Sequence, residues 1–405
     1  MYIARQPIFN TKMEVYGYEL LYRFSESSKM FDGSSPIQAT ATIINGLFES
    51  GLENLIDGKR AFVNFDSDFL HLDLTELIEP EKLVIEMLED VQVDIDMMVR
   101  LQELKDKGYM LALDDFVESY NHYPLVPMAD IIKYDLIGTP MAMIKSDVAR
   151  ALKDNKILLA EKVENISEFE EAKAMGFTLF QGFFFSKPSI IGSSNDKTTT
   201  KAQYGRMINE LMKDEPSYQI LAEIIEKDVH LAYRLMRVVK SRSGDDILYS
   251  IKRALTYMGL KEIQRWINIL MLRDLSDKKP DELMRMSLIR TKFAERITMH
   301  THLSKMKYEA SMLGLFSTID AMLDQSMDDA LKGISLPASI IDALVHGKGD
   351  LYPIFQLVCT YEKADWKKAQ IIISQLGLNE DEVVDDYKSA LIWTKEVMDM
   401  IYKVN

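Results

Sequence analysis

YMLALDDF (residues 109–116), then IIKYDL (131–136), ILLAEKV (157–163) and LFQGFFF (179–185), decide the fold. Each run has strand length and is almost continuously apolar up to a polar residue near its end, the pattern of strands buried on both faces. Working back along the chain, LVIEML (83–88), AFVNF (61–65), VYGYELLY (15–22) and QPIF (6–9) read the same way. From AFVNF onward the runs recur about every 20–28 residues. The intervals include amphipathic helical stretches such as VDIDMMVRLQELKDKG (93–108) and SEFEEAKAMG (167–176), each closing on a glycine suited to end a helix. Repeated strand–helix units give a parallel sheet with right-handed crossovers, and eight strands predict a closed barrel. Only NTKME (10–14) separates the first two runs, too little for a crossover. They are expected to form a hairpin, with the first strand antiparallel to the rest.

The polar residues that interrupt these runs carry the functional signal. Glu19, Asn64, Glu86, Asp114, Asp115, Lys133, Glu161 and Gln181 lie within the strands or at their C-terminal ends. In a (β/α) barrel those ends converge on one face, where active sites are built. A lone strand-end carboxylate is usually a loop cap or a surface ion pair; one polar residue per successive strand is a different matter. Five gathered carboxylates repel one another and call for a cation. The donors are oxygens with no His or Cys, which favours Mg²⁺ or Mn²⁺ over Zn²⁺. The adjacent pair Asp114–Asp115 is suited to holding two metals, the arrangement that stabilises both oxygens in phosphodiester hydrolysis. Lys133 is placed to orient the water and Glu161 to take its proton.

The remaining sequence bounds the function. The chain has 405 residues, 47% of them apolar, enough for two or three domains. A net charge of −15 argues against broad binding to DNA or to anionic membranes. The single Cys359 excludes an internal disulfide and fits a cytoplasmic protein. No run is long enough to span a membrane, and MYIARQPIFN is not a secretory signal. SKPSIIGSSNDKTTTK (186–201) has linker composition, and helical patterns follow it to the C-terminus. The expected organisation is a barrel over 1–190, a linker over 191–203 and an all-helical domain over 204–405. His300 and His302, two apart on a helix, face different ways and are read as structural, and Trp266 and Trp393 as core or interface anchors.

GYELLYR (17–23), VNFDSDFL (63–70), VIEMLED (84–90), ALDDF (112–116), IKYD (132–135), AEKVE (160–164) and FQGFFFSKP (180–188) together resemble the EAL domain. The resemblance implies a TIM-like barrel with an antiparallel first strand and metal-dependent hydrolysis of cyclic di-GMP to pGpG. It implies that Glu19, Asn64, Glu86, Asp114 and Asp115 bind metal and that Lys133 and Glu161 are catalytic. It also implies that Arg23 and Gln181 meet the ligand and that Glu89 braces the loop after the aspartate pair. The sequence departs from the family at Glu19-Leu20-Leu21, at the loop DDFVESYNHY (114–123), which lacks the family's two glycines, and at Lys162, where the family has glycine. The interval from Lys133 to Glu161 also looks short, implying a trimmed crossover helix. IIEKDVHLAYRLMRVVKS (224–241) and YSIKRALTYMGLKEIQRWI (249–267) resemble the HDOD domain, which lacks metal chemistry and implies a protein partner. A tandem of this kind implies a bacterial signalling protein, and a homodimer is compatible with it. Two readings stand: a cyclic di-GMP phosphodiesterase, or a degenerate EAL receptor or scaffold working through HDOD contacts. An unrelated two-metal phosphoesterase fits the ligand set but not the ordered motifs.

Overall fold

The computed structural model describes residues 2–23, 55–65, 67–70, 78–87, 93–117, 120–186, 204–226, 231–232, 234–235, 238–239, 250–275, 279–332 and 336–402. Eight strands form a closed barrel in sequence order: β1 (Tyr2–Asn10), β2 (Val15–Arg23), β3 (Arg60–Phe65), β4 (Leu83–Met87), β5 (Met110–Leu113), β6 (Ile131–Asp135), β7 (Ile157–Glu161) and β8 (Leu179–Gln181). β1 is antiparallel to both β2 and β8, and every other pair is parallel. The hairpin expected at NTKME is present, closed by hydrogen bonds between Asn10 and Glu14. The polar ends shorten the strands relative to the apolar runs: β5 stops at Leu113, so the aspartate pair lies just beyond it.

Barrel helices α1 (Ile95–Asp106), α2 (Met141–Lys153) and α3 (Ile166–Met175) begin and end where local chemistry dictates. Asp94 accepts from Met97 N–H, and Asn165 accepts from Glu168 N–H while Glu168 reaches back to Glu164 N–H. Gly108 and Gly176 supply the left-handed residues after α1 and α3. Between Lys133 and Glu161 the crossover is a full 13-residue helix, α2, rather than a trimmed one. The interval is short because its connecting loops are.

One layer inside the barrel explains where the site sits. Ile8, Phe62, Val84, Ala112, Ile131, Leu159 and Leu179, from seven different strands, form a buried apolar plug. Side chains two residues apart on a strand share a face. Two residues further on lie Asn64, Glu86, Asp114, Lys133, Glu161 and Gln181. On reversed β1 the same step runs backwards, from Ile8 to Gln6. On β2, Glu19 stands above Gly17, where a Cβ would meet Phe62 at 2.8 Å. The polar layer is therefore the apolar layer displaced by one pleat repeat toward the mouth.

Further along the chain the elements are helical: α4 (Tyr218–Glu226), α5 (Ile251–Met258), α6 (Leu260–Leu275), α7 (Asp281–Met299), α8 (Lys307–Phe316), α9 (Ile319–Leu323), α10 (Met327–Leu331), α11 (Ala338–Val345), α12 (Tyr352–Glu362), α13 (Trp366–Leu376) and α14 (Glu380–Tyr402). Two compact units emerge. One combines Met1–Lys187 with Leu288–Gly314 and Pro353–Asn405; the other combines Pro188–Ser287 with Leu315–Tyr352. In the first, Gly314 on α8 lies so close to α7 that a Cβ would fall 2.3 Å from the Arg290 carbonyl. In the second, Asp274 is held by Arg234 at 2.9 Å and by the Tyr204 hydroxyl. His300 pairs with Asp386 at 3.2 Å, a structural contact, and Trp266 is buried. Trp393 has the Lys292 ammonium over its ring. No helix among the described residues is long and apolar enough to cross a membrane.

Gly182, directly after β8, has φ +143° and leaves no room for a Cβ, which would fall 2.1 Å from the Val163 carbonyl oxygen. Gly182→Ala is expected to cost about 1–3 kcal/mol of unfolding free energy in urea titration. A variant as stable as the parent would show that Val163 does not confine Gly182.

Candidate active site

The mouth is organised around a buried lysine. Lys133, on β6, is fully buried, and its Nζ lies 2.7 Å from Glu86 Oε1, 2.6 Å from Asp114 Oδ1, 3.0 Å from Glu161 Oε1 and 3.6 Å from Glu19 Oε1. Four carboxylates from four strands or strand ends thus share one ammonium. Asn64 donates to Glu19 Oε1 at 3.4 Å, and Gln181 donates to the other Glu19 oxygen and, at 3.1 Å, to Gln6. Tyr22 fixes β3 beside the site by donating to the Asn64 carbonyl at 2.7 Å.

The electrostatics follow from this crowding. Burial opposes the charge on Lys133, but Glu161, Glu19, Glu86 and Asp114 outweigh it and hold the ammonium well above its ordinary pKa. Burial drives Glu86 well above the carboxylate range; Lys133 opposes the shift, and Glu19 and Asp114 add to it. Burial, partly offset by Lys133 and reinforced by Asp114 and Glu19, pushes Glu161 up to about 8.

Asp115 stands apart from this cluster. Its backbone is left-handed, at φ 39°, and its carboxylate is 4.0 Å from Lys162. Lys162 takes the left-handed conformation itself, at φ 55°, and its Nζ contacts Asp135 Oδ2 at 2.6 Å. Partial burial works against ionised Asp135, but Lys162 and the Gly138 and Ile137 amides hold its pKa below the ordinary value. Arg23 is the last residue of β2, and its side chain lies outside the described residues, as does the whole of Glu89. Gln6 and Asp135 were not among the site residues expected from sequence. Gln6 could have been found by counting two residues back from Ile8 on the reversed strand, and Asp135 by its position two residues after Lys133.

The donor set fits a hard divalent cation in kind. It is all oxygen, and Asn64 Oδ1, both Glu86 carboxylate oxygens and Gln181 Oε1 are buried without a well-aligned hydrogen-bond donor. The 2.7 Å contact of Lys133 with Glu86 is thus an ion pair by distance rather than an aligned hydrogen bond. Among the described residues no group of three or more His, Cys, Asp or Glu side chains is already arranged to hold a metal ion. The carboxylates converge on Lys133 instead. Above them opens a cavity of about 520 Å³, bordered by Glu19, Asp114, Glu161, Phe183 and Lys363 among others. A second cavity, of about 390 Å³, lies at the opposite end of the barrel. Its charged groups are used structurally: Lys105 pairs with Asp130 at 2.6 Å, and Lys156 donates to the Ala129 carbonyl at 2.6 Å.

A barrel with a reversed first strand and a carboxylate–lysine mouth defines the class. Residues 1–188 match the EAL domain model and residues 199–334 the HDOD domain model. The chain belongs to the family that joins an EAL domain to an HDOD domain. It is 36% identical to YuxH of Bacillus subtilis (strain 168) over 416 residues, covering 98% of this chain and 99% of the relative. It is 32% identical to the cyclic di-GMP phosphodiesterase CdgJ of Vibrio cholerae serotype O1 over 408 residues, covering 99% of this chain and 94% of the relative. Among solved structures, the Bacillus subtilis YkuI protein, with an EAL domain and in complex with substrate c-di-GMP and calcium, aligns at 21% identity with a TM-score of 0.38, covering 65% of this chain and 73% of that one.

The raised pKa of Glu161 has a thermodynamic consequence. The folded protein keeps this proton up to about pH 8, whereas an ordinary glutamate loses it near 4.5. The stability that this protonation contributes is full below the ordinary value and is lost as pH rises through the folded one. In EDTA, the parent Tm is expected to fall more steeply between about pH 5 and 8 than that of Glu161→Gln. Parallel curves would show that Glu161 is ionised in the folded state throughout.

Proposed function

We propose that this protein is a cyclic di-GMP phosphodiesterase that opens one phosphodiester bond to give pGpG. The observation that carries this reading is the convergence of Glu19, Glu86, Asp114 and Glu161 on one buried ammonium at the barrel mouth. The near full-length similarity to a chain named for that activity supports it.

In this reading Glu19, Asn64, Glu86, Asp114 and Asp115 hold Mg²⁺ or Mn²⁺. Bound there, such cations supply positive charge to the attacking and leaving oxygens of the phosphodiester. Lys133 orients the attacking water, and Glu161 removes its proton. Burial raises the proton affinity of Glu161 in the metal-free site, and positive charge bound beside it would free the carboxylate to act as the base. Gln181 fixes Glu19 in place, and Arg23, at the end of β2, meets a phosphate. The helical domain serves as the surface for a protein partner.

One observation favours a second reading, a nucleotide receptor or scaffold. Lys162 stands where the family has glycine, and its ammonium lies 2.6 Å from Asp135 and 4.0 Å from Asp115. A resident cation there competes for Asp115, which a second metal needs.

The test is direct. Purified protein incubated with cyclic di-GMP and Mn²⁺ is expected to yield pGpG, and Glu161→Ala to lose at least about a hundredfold in kcat while binding changes little. No product from the parent, beside an active EAL enzyme, would leave the receptor reading. Equal losses in turnover and binding would make Glu161 structural.

A further inference from the structure

The substrate carries two phosphates, and the hydrolytic centre engages one. Among the described residues, the mouth is otherwise poor in available positive charge. Lys133 is surrounded by four carboxylates, and Lys162 is engaged by Asp135. Lys363 differs. It is exposed, it borders the same cavity as Glu19, Asp114 and Glu161, and its ammonium stands 5.5 Å from the centre of the Phe183 ring. It comes from a part of the chain that neither family model covers, since the matched regions end at residue 334.

The position of Lys363 is fixed by the fold. It sits in the tight turn between α12 and α13, where Ala364 adopts φ 55°. There Ala364 N–H donates to Tyr361 at 2.9 Å and Asp365 N–H to Thr360 at 3.1 Å, while the Asp365 side chain caps α13 through Lys368 N–H at 3.2 Å. On either side of the turn are two aromatic anchors. Trp366 stacks on Tyr2 with ring centres 5.4 Å apart, and the buried Tyr361 meets Tyr2 at 6.1 Å and Trp366 at 5.2 Å. Tyr2 opens β1. Because β1 runs against the other strands, its first residue pairs with Arg23 at the C-terminal rim. In an all-parallel barrel the same residue would lie at the far end. The reversed strand therefore gives the C-terminal helices a foothold on the catalytic rim.

We propose that Lys363 is a substrate-binding residue of the phosphodiesterase site, taking the phosphate of cyclic di-GMP that is not cleaved. This rests on the phosphodiesterase reading and adds to it that residues 353–402 complete the nucleotide site. An ammonium that faces a ring rather than a carboxylate keeps its donors for a phosphate.

The experiment uses the full chain with Mn²⁺ and two substrates, cyclic di-GMP and bis(p-nitrophenyl) phosphate, which has a single phosphate. Lys363→Ala is expected to raise KM for cyclic di-GMP roughly tenfold while leaving kcat/KM for bis(p-nitrophenyl) phosphate within about twofold. Lys363→Arg is expected to restore most of the loss. An unchanged KM for cyclic di-GMP, or equal losses on both substrates, would overturn the role of Lys363 and leave the phosphodiesterase reading standing. A parent inactive on both substrates would overturn that reading, and this role with it.

Discussion

The buried ammonium of Lys133 is the constraint on which the mouth of this barrel depends. Glu19, Glu86, Asp114 and Glu161 all approach it within 3.6 Å. Taken out of water without a cation, four carboxylates at this spacing could not all stay ionised. With one cation they are still overcharged, and burial, reinforced by the neighbouring carboxylates, raises the pKa values of Glu86 and Glu161. The cluster is thus incompletely neutralised by the chain itself, which is what the proposed role of a divalent cation rests on.

A simple geometric rule creates the cluster. Strand side chains repeat every two residues, so the apolar plug and the polar layer are consecutive rungs of the same ladder. The plug supplies the burial that anchors the strands, and the next rung spends part of that stability on clustered charge. β1 obeys the same rule in reverse, which brings Gln6 rather than a residue beyond Ile8 into the layer. Its reversal has a second effect, because Tyr2 becomes a rim residue on which Trp366 and Tyr361 pack. One topological choice therefore shapes both the site and the docking of helices from the far end of the chain.

Much of this was legible in the sequence. Apolar runs with polar ends located all eight strands, and a five-residue gap gave the β1–β2 hairpin. The residues about Lys133 were legible because each breaks an apolar run, where an unpaired charge is costly. Other features were not. Asp115 follows Asp114 directly and shares its chemistry, yet a left-handed backbone turns it toward Lys162. Lys162 reads as a mere replacement of glycine until its ion pair with Asp135 is seen. Lys363 stands in a helical stretch remote in sequence from every barrel strand, with no local pattern to mark it. Aromatic packing on Tyr2 helps bring its turn to the mouth.

One buried cation holds the carboxylate layer together, and in the proposed reading a divalent ion shares the task. The most direct measurement is the unfolding free energy of Lys133→Ala against the parent, in EDTA and again in Mn²⁺. Lys133→Ala is expected to lose about 3–5 kcal/mol in EDTA and to regain most of it in Mn²⁺. Equal stability of the two proteins in EDTA would contradict it.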